Sequence, residues 1–340
     1  MVGAVAGEMV NNPGVKLHVV TGKGGTGKST VAAALALALA SNGKSVLLCE
    51  VEGRQGIARM FDVDPLPYVE TPIATGLRVG ESRAGTVHAL HIDPEAALLE
   101  YLAMYYKLGR AGKALDRFGV IEFATTIAPG VRDVLLTGKV FEAVLRNSRN
   151  KGAINYDAVV LDAPPTGRIT QFLNVSESVA DLAKVGPIKR QADTMMTLFR
   201  SPRTVVHLTT LLEEMPVQET ADAIAELTAA RFGVGSIVVN KIRPRELSEE
   251  ALMAAREGTL DRVSIAADLK RVGVRGGSKL VDALVAEAAD HAERRALEDT
   301  QRALVDKMGR PVCALPRLPE GIDLGALYEF AADLKGQGLA

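Results

Sequence analysis

Short apolar runs recur along the chain, most of them closed by glycine, proline or a charged residue. LHVV (17–20), SVLLCEV (45–51), TVHALHI (86–92), YDAVVLD (156–162), RTVVHLTT (203–210), GSIVVNK (235–241) and PVCALP (311–316) are largely apolar throughout. Such runs predict strands buried on both faces. Helical spacing fills the intervals: about 28–42, stopped by Gly43; 94–148 with a break at APG (128–130); about 168–200; and 217–232. It continues over 246–310, interrupted by RVGVRGGSK (271–279), and over a closing helix, 323–336. The Pro- and Gly-rich stretch 64–86 reads as a connection. Buried strands alternating with helices predict an α/β fold, with a mostly parallel sheet flanked by helices on both faces. No internal repeat or low-complexity tract is visible. One domain is expected over 1–340, its core at about 15–62, 86–94, 156–174, 203–241 and 311–336. Helical insertions are expected at about 95–150, 175–200 and 246–310.

Composition adds exclusions. The chain is 47% hydrophobic and 24% charged, with a formal net charge of −1. No global attraction to nucleic acid is expected, and basic stretches such as Lys189-Arg190 and KIRPR (241–245) read as solvated surface. Cys49 and Cys313 lie far apart in apolar runs and read as reduced core residues. The five histidines are scattered, and His88 and His91 would point to opposite faces of one strand. The N-terminus, with Glu8 and two Asn before a Pro-Gly turn, lacks the pattern of a signal peptide. The longest apolar run, VAAALALALA (31–40), is about half a membrane span. A soluble, cytoplasmic protein is expected, not integral to a membrane.

The chemistry lies in VVTGKGGTGKSTVAAAL (19–35), which satisfies two fingerprints. Gly22, Gly24 and Gly27 spell the dinucleotide pattern G-x-G-x-x-G. Gly22, Gly27, Lys28 and Ser29 spell the phosphate-binding loop G-x-x-x-x-G-K-[ST]. Glu50 sits near where a ribose-binding acid would be. In a dinucleotide fold, however, the third glycine opens an apolar helix, and here Lys28, Ser29 and Thr30 follow it. Backbone N–H groups from Gly24 through Gly25, Thr26, Gly27 and Lys28 to Ser29 can form an anion nest. Lys28 can reach the β and γ phosphates, and the Ser29 hydroxyl can bind Mg²⁺. A second stretch, AVVLDAPPTG (158–167), ends a buried strand on Asp162, where an Mg²⁺-associated carboxylate belongs. The loop Pro165-Thr166-Gly167 that follows can sense a γ-phosphate. The two sites together select a P-loop NTPase. A poor match to the guanine motif N-K-x-D at NKIRP (240–244) selects ATP.

Lys23 is a lysine that the loop pattern does not require. GKGGTGKS, with a lysine at each end, resembles the deviant Walker A loop of the ArsA-like ATPases, the arsenite-pump and tail-anchored-protein-targeting family. The resemblance extends to LLCEVEGRQGIARMF (47–61), HIDP (91–94), APGVRDVL (128–135), DAPPTGRITQFL (162–173), EEMPVQET (213–220), VVNK (238–241) and LPRLPEGI (315–322). It implies a dimer in which Lys23 crosses to the partner's nucleotide and acts as an arginine finger would. It also implies that Asn240, Pro316 and Arg317 surround the adenine.

The departures are specific. The switch aspartate that orients the attacking water falls on Glu52, with Glu50 a rival, and Arg54-Gln55 replace Ala-His. A glutamate moves the carboxylate outward by one methylene, a displacement of about 1 Å that can cost about a hundredfold in rate. Turnover is therefore expected to be slow or partner-dependent. No Cys-x-x-Cys or cysteine cluster is present, which disfavours a shared zinc and an arsenite site. With a single P-loop, the chain is expected to pair with itself or with a related ATPase subunit. Client handling, by resemblance, would use ALLEYLAMYYKLG (97–109) and ADTMMTLF (192–199); the preferred reading is that these helices simply pack on the sheet. The function expected is a Mg-ATP-dependent dimeric switch handling a membrane-protein or other hydrophobic client, peripheral to membranes through a partner. The competing readings are a partition-type positioning ATPase, a nucleotide-bound scaffold with little hydrolysis, and, more distantly, a dinucleotide oxidoreductase.

Overall fold

The apolar runs become strands: β1 (Leu17–Gly22), β2 (Ser45–Glu50), β4 (Gly85–His91), β5 (Ala158–Asp162), β6 (Thr204–Thr210), β7 (Val234–Ile242) and β8 (Val312–Pro316). These come from a computed structural model that describes residues 14–52, 55–77, 84–106, 129–146, 152–175, 187–319 and 321–340. One strand, β3 (Thr71–Leu77), arises where only a connection was expected. It is a sheet edge, antiparallel to β4 with two register shifts, and its Pro72 and Gly76 erase the strand signal. Proline is tolerated there because an edge strand needs fewer ladder donors. The eight strands form one sheet, ordered β3-β4-β2-β5-β1-β6-β7-β8, parallel apart from the β3–β4 pair.

The helices are α1 (Lys28–Ser41), α2 (Gly56–Met60), α3 (Pro94–Tyr106), α4 (Pro129–Leu145), α5 (Thr166–Leu173) and α6 (Pro187–Phe199). They continue with α7 (Glu214–Ala229), α8 (Glu249–Glu257), α9 (Arg262–Arg271), α10 (Ser278–Asp306) and α11 (Leu324–Gly336). Alternation along the strands feeds two cores. Leu17 and Val19 face Leu161, Phe172, Met195 and Phe199, whereas Val20 faces Leu35, Leu48, Val160 and Phe330. Each fully buried large side chain contributes about 1.5–3 kcal/mol. Helix α1 is buried from Val31 through Ala40. That accounts for its lack of a polar face: it lies between the sheet and α11. Gly43, at φ 83°, stops it as expected.

Both cysteines are free and buried. The histidines are less scattered than the sequence indicates. His18 on β1 and His207 on β6 stack with ring centroids 5.5 Å apart, and burial holds both below the usual imidazole range. Among the described residues no helix is long and apolar enough to cross a membrane.

Candidate functional site

The chain order reverses at β1: α1 leads outward to β2 on one side, and β6 begins the other. In open α/β sheets ligands bind beyond the strand C-termini at this crossover. Gly22, Glu50, Asp162, Asn240 and Pro316 all lie at or near such strand ends.

The glycine loop spans β1 and α1, and its geometry shows why these glycines are required. Gly25 and Gly27 adopt φ of 88° and 94°. A Cβ on Gly27 would lie 2.2 Å from Asn240 Nδ2, and one on Gly22 would lie 2.2 Å from the Thr209 carbonyl oxygen. Thr26 turns inward, its Oγ1 donating to the Lys23 carbonyl at 2.8 Å. Asn240 is buried beneath the loop, Nδ2 donating to Thr26 O at 2.9 Å and Oδ1 accepting from Lys241 N. Its amide therefore braces the loop as well as lining the adjoining pocket. Lys241, in the left-handed region at φ 57°, donates from Nζ to the Gly25 carbonyl. No side chain caps the N-terminus of α1, so the first-turn N–H groups remain available to an anion. Gly27→Ala is expected to destabilise the protein by about 1–3 kcal/mol and to weaken ATP binding at least tenfold. Thermal unfolding and nucleotide titration measure both, and wild-type values in each would refute the strain argument.

Ser29 Oγ donates to Asp162 Oδ2 at 2.5 Å, joining the loop to the end of β5. Asp162 is 6% exposed, and burial pushes its carboxyl up to about 7 despite Ser29 and Lys28. Glu50, its register partner on β2, is 2% exposed. Glu50 Oε1 accepts from Gly56 N at 2.8 Å. Its Oε2 lies 3.5 Å from His91 Nδ1 without hydrogen-bond geometry. Asp162 Oδ1 and Glu50 Oε2 are thus buried carboxylate oxygens without hydrogen-bond partners. Two such orphans beside a P-loop serine fit the oxygen-rich surroundings that Mg²⁺ selects. Glu52 is half-buried in the following loop, and its charge also acts on Asp162. Arg54 lies outside the described residues. Gln55 grips Leu66 through both backbone groups, tying the start of α2 to the next loop.

Past Asp162, Thr21 Oγ1 donates to the Pro164 carbonyl at 2.7 Å, and Pro165 precedes α5. Thr166 is buried and Gly167 exposed. Thr166 Oγ1 donates to Glu219 Oε2 at 3.1 Å, while Lys23 Nζ donates to Glu219 Oε1 at 2.6 Å. One carboxylate on α7 therefore links the extra lysine to Thr166 at the start of α5. Glu219 lies within a landmark quoted from the sequence, but nothing in its spacing indicated that contact. Arg168 on α5 reaches Asp133 on α4 at 3.3 Å.

Behind Gly27 opens a pocket of about 540 Å³, lined by Asn240, Pro316, Arg317, Leu211 and Ile322 among others. Arg317 N donates to Ile242 O at 2.8 Å, setting this turn against β7. Glu298 of α10, held by Arg243 and Arg295, also lines it. The size suits a small-molecule ligand. The stretch 192–199 packs as the preferred reading has it: in α6, Met195, Met196, Leu198 and Phe199 are core residues. Of the other stretch, 97–109, residues 107–109 lie outside the described residues.

The family model described as Anion-transporting ATPase matches residues 15–203. ATPase BagA of Mycobacterium tuberculosis is 52% identical over 326 residues, which cover 96% of this chain and 94% of that protein. ATPase GET3 of Lachancea thermotolerans is 24% identical over 275 residues, covering 69% and 74%. An Aquifex aeolicus protein whose name assigns it to the arsenical pump-driving ATPases is 23% identical over 265 residues, covering 69% and 83%. With the glycine loop, the paired strand ends of Glu50 and Asp162 and the open parallel sheet in place, the chain belongs to the ArsA and GET3 type of anion-transporting ATPases.

Proposed function

We propose that this ATPase works as a Mg-ATP-dependent dimeric switch in which Lys23 serves the nucleotide of the opposite subunit. The observation that carries this reading is the direction of Lys23. Its ammonium is bonded to Glu219 on α7, and the side chain remains 30% exposed. Lys28 is left for the chain's own phosphates. Ser29 and Asp162 would hold Mg²⁺, Asp162 through water, and the ion would neutralise charge between the β and γ phosphates. Glu52 would orient the attacking water, with Glu50 behind it as a buried acid. Pro316 and Arg317 would border the adenine, and Asn240 would keep the loop open.

A client would be coupled through the Arg168–Asp133 link, which joins the second switch to the insertion carrying α4. Hydrolysis against protein concentration tests the dimer: specific activity is expected to rise with concentration and to saturate. A concentration-independent rate from a monomer would refute it. Because Glu52 is longer than the family's aspartate, turnover is expected to lie below the usual enzyme range of about 1–10³ s⁻¹.

A further inference from the structure

Seven of the thirteen large hydrophobic residues exposed among the described residues fall between Met253 and Leu304, in the insertion formed by α8, α9 and α10. Its tip, residues 262–279, holds five cations (Arg262, Lys270, Arg271, Arg275 and Lys279) against one acid, Asp268. With Asp261, which caps α9, and Asp282, which pairs with Arg262, the local charge is +2, on a chain of net charge −1. Sixteen of those eighteen residues are exposed; only Ile265 and Leu269 are half-buried. Spaced i and i+4, these two attach one side of α9 to the molecule. The opposite side carries Val263, Ser264, Ala267, Lys270 and Arg271, with Ala266 and Asp268 at its margins. Past α9 the loop adds Val272 and Val274, with Gly273, Gly276 and Gly277 around them. Val263 and Val272 are 79% and 73% exposed. Arg262 pairs with Asp282 and Arg271 with Asp268, and Asp261 caps α9. Among the described residues no ion pair holds Lys270, Arg275 or Lys279.

An outward aliphatic strip flanked by long cationic side chains matches the headgroup layer of a bilayer, where apolar groups enter and cations stay at the phosphates. The tip has no aromatic anchor such as stacks on bases or fills a protein pocket. We propose that α9 and the loop after it dock directly on an anionic membrane surface. Val263, Val272 and Val274 enter the headgroup layer, and Lys270, Arg275 and Lys279 meet lipid phosphates.

The experiment is co-sedimentation of the full chain, without nucleotide, with vesicles of phosphatidylcholine alone or mixed with phosphatidylglycerol. The outcome is thus independent of the ATPase mechanism. Binding is expected only to the anionic vesicles, and it should weaken as salt rises. Each cation near such a surface contributes about a fivefold gain in affinity, so Lys270→Ser/Arg275→Ser/Lys279→Ser should lose about a hundredfold. Val272→Ser/Val274→Ser should bind several-fold more weakly at low salt. Far-UV circular dichroism and Mg-ATP affinity establish that both variants are folded. Absence of vesicle binding, or binding that neither variant changes, would overturn the proposal. So would equally tight, tip-dependent binding to a single-stranded oligonucleotide, or tip-dependent self-association in place of vesicle binding.

Discussion

Lys23→Ala is expected to lower the steady-state ATPase rate by about 10³-fold or more while leaving Mg-ATP affinity within a few-fold of wild type. An arginine-finger group contributes about 10³–10⁵ in rate because it meets charge that develops only in the transition state. In the proposed mechanism Lys23 takes that role, and in the ligand-free chain its ammonium is bonded to Glu219 at 2.6 Å. Lys28→Ala should instead lose nucleotide affinity and rate together. Mixing the two variants then separates action in trans from action in cis. A mixed dimer pairs one intact Lys28 with one intact Lys23 across the interface, so partial activity should return. Failure to complement, with dimers shown to form, would place Lys23 in cis. Glu219→Gln refines the result. It frees the ammonium while keeping an acceptor for Thr166, so dimer formation should shift to lower protein concentration. An unchanged midpoint would mean that the Glu219 contact does not restrain the lysine.

The second large effect is expected at Asp162. Asp162→Asn should reduce Mg²⁺-dependent turnover by about 10²–10³-fold, in the range seen when one preorganised electrostatic group is removed. The same change should stabilise the ligand-free protein above neutral pH. The sign follows from linkage. Burial lifts the Asp162 carboxyl from an ordinary 3.8 to about 7, so between those pH values the folded state binds a proton that the unfolded chain has released. Stability from this group is therefore complete below about pH 4 and is lost as pH rises toward and through 7. The loss is on the order of a few kcal/mol, given about 1.4 kcal/mol per pKa unit. Asparagine carries no such titration, so its unfolding midpoint should vary less over pH 4–8 and exceed wild type at pH 8. Mg-ATP should restore wild type at that pH by neutralising the carboxylate. A variant that is less stable at pH 8, or that keeps the full pH slope, would show that Asp162 is not a buried acid awaiting a cation.

Much of this protein is written locally. The strands that carry the site are continuous apolar runs and were legible as such. The glycine loop is legible too, because left-handed backbone at Gly25 and Gly27 and close approach at Gly22 are demands that only glycine meets cheaply. Asp162 followed from its position at the end of a buried run. The neighbouring β3 was illegible for the converse reason. With only Ala74 buried, it takes its strand conformation from pairing with β4 and not from its own pattern.

What the tertiary structure alone decided are the meetings between distant side chains. Lys23 and Glu219 lie 196 positions apart and Ser29 and Asp162 133 apart, yet each pair is within hydrogen-bond distance. Asn240, which the resemblance assigns to the adenine, is seen to hold the Thr26 carbonyl from beneath, because β7 runs under the loop. Met195 and Met196 carry the composition of an open apolar groove, but α6 turns them into the core. Periodicity and turn chemistry act over one or two turns of chain, so sequence determined the elements and the loop. Which face an element buries, and which charges then share a low-dielectric space, depends on the packing of elements far apart in sequence.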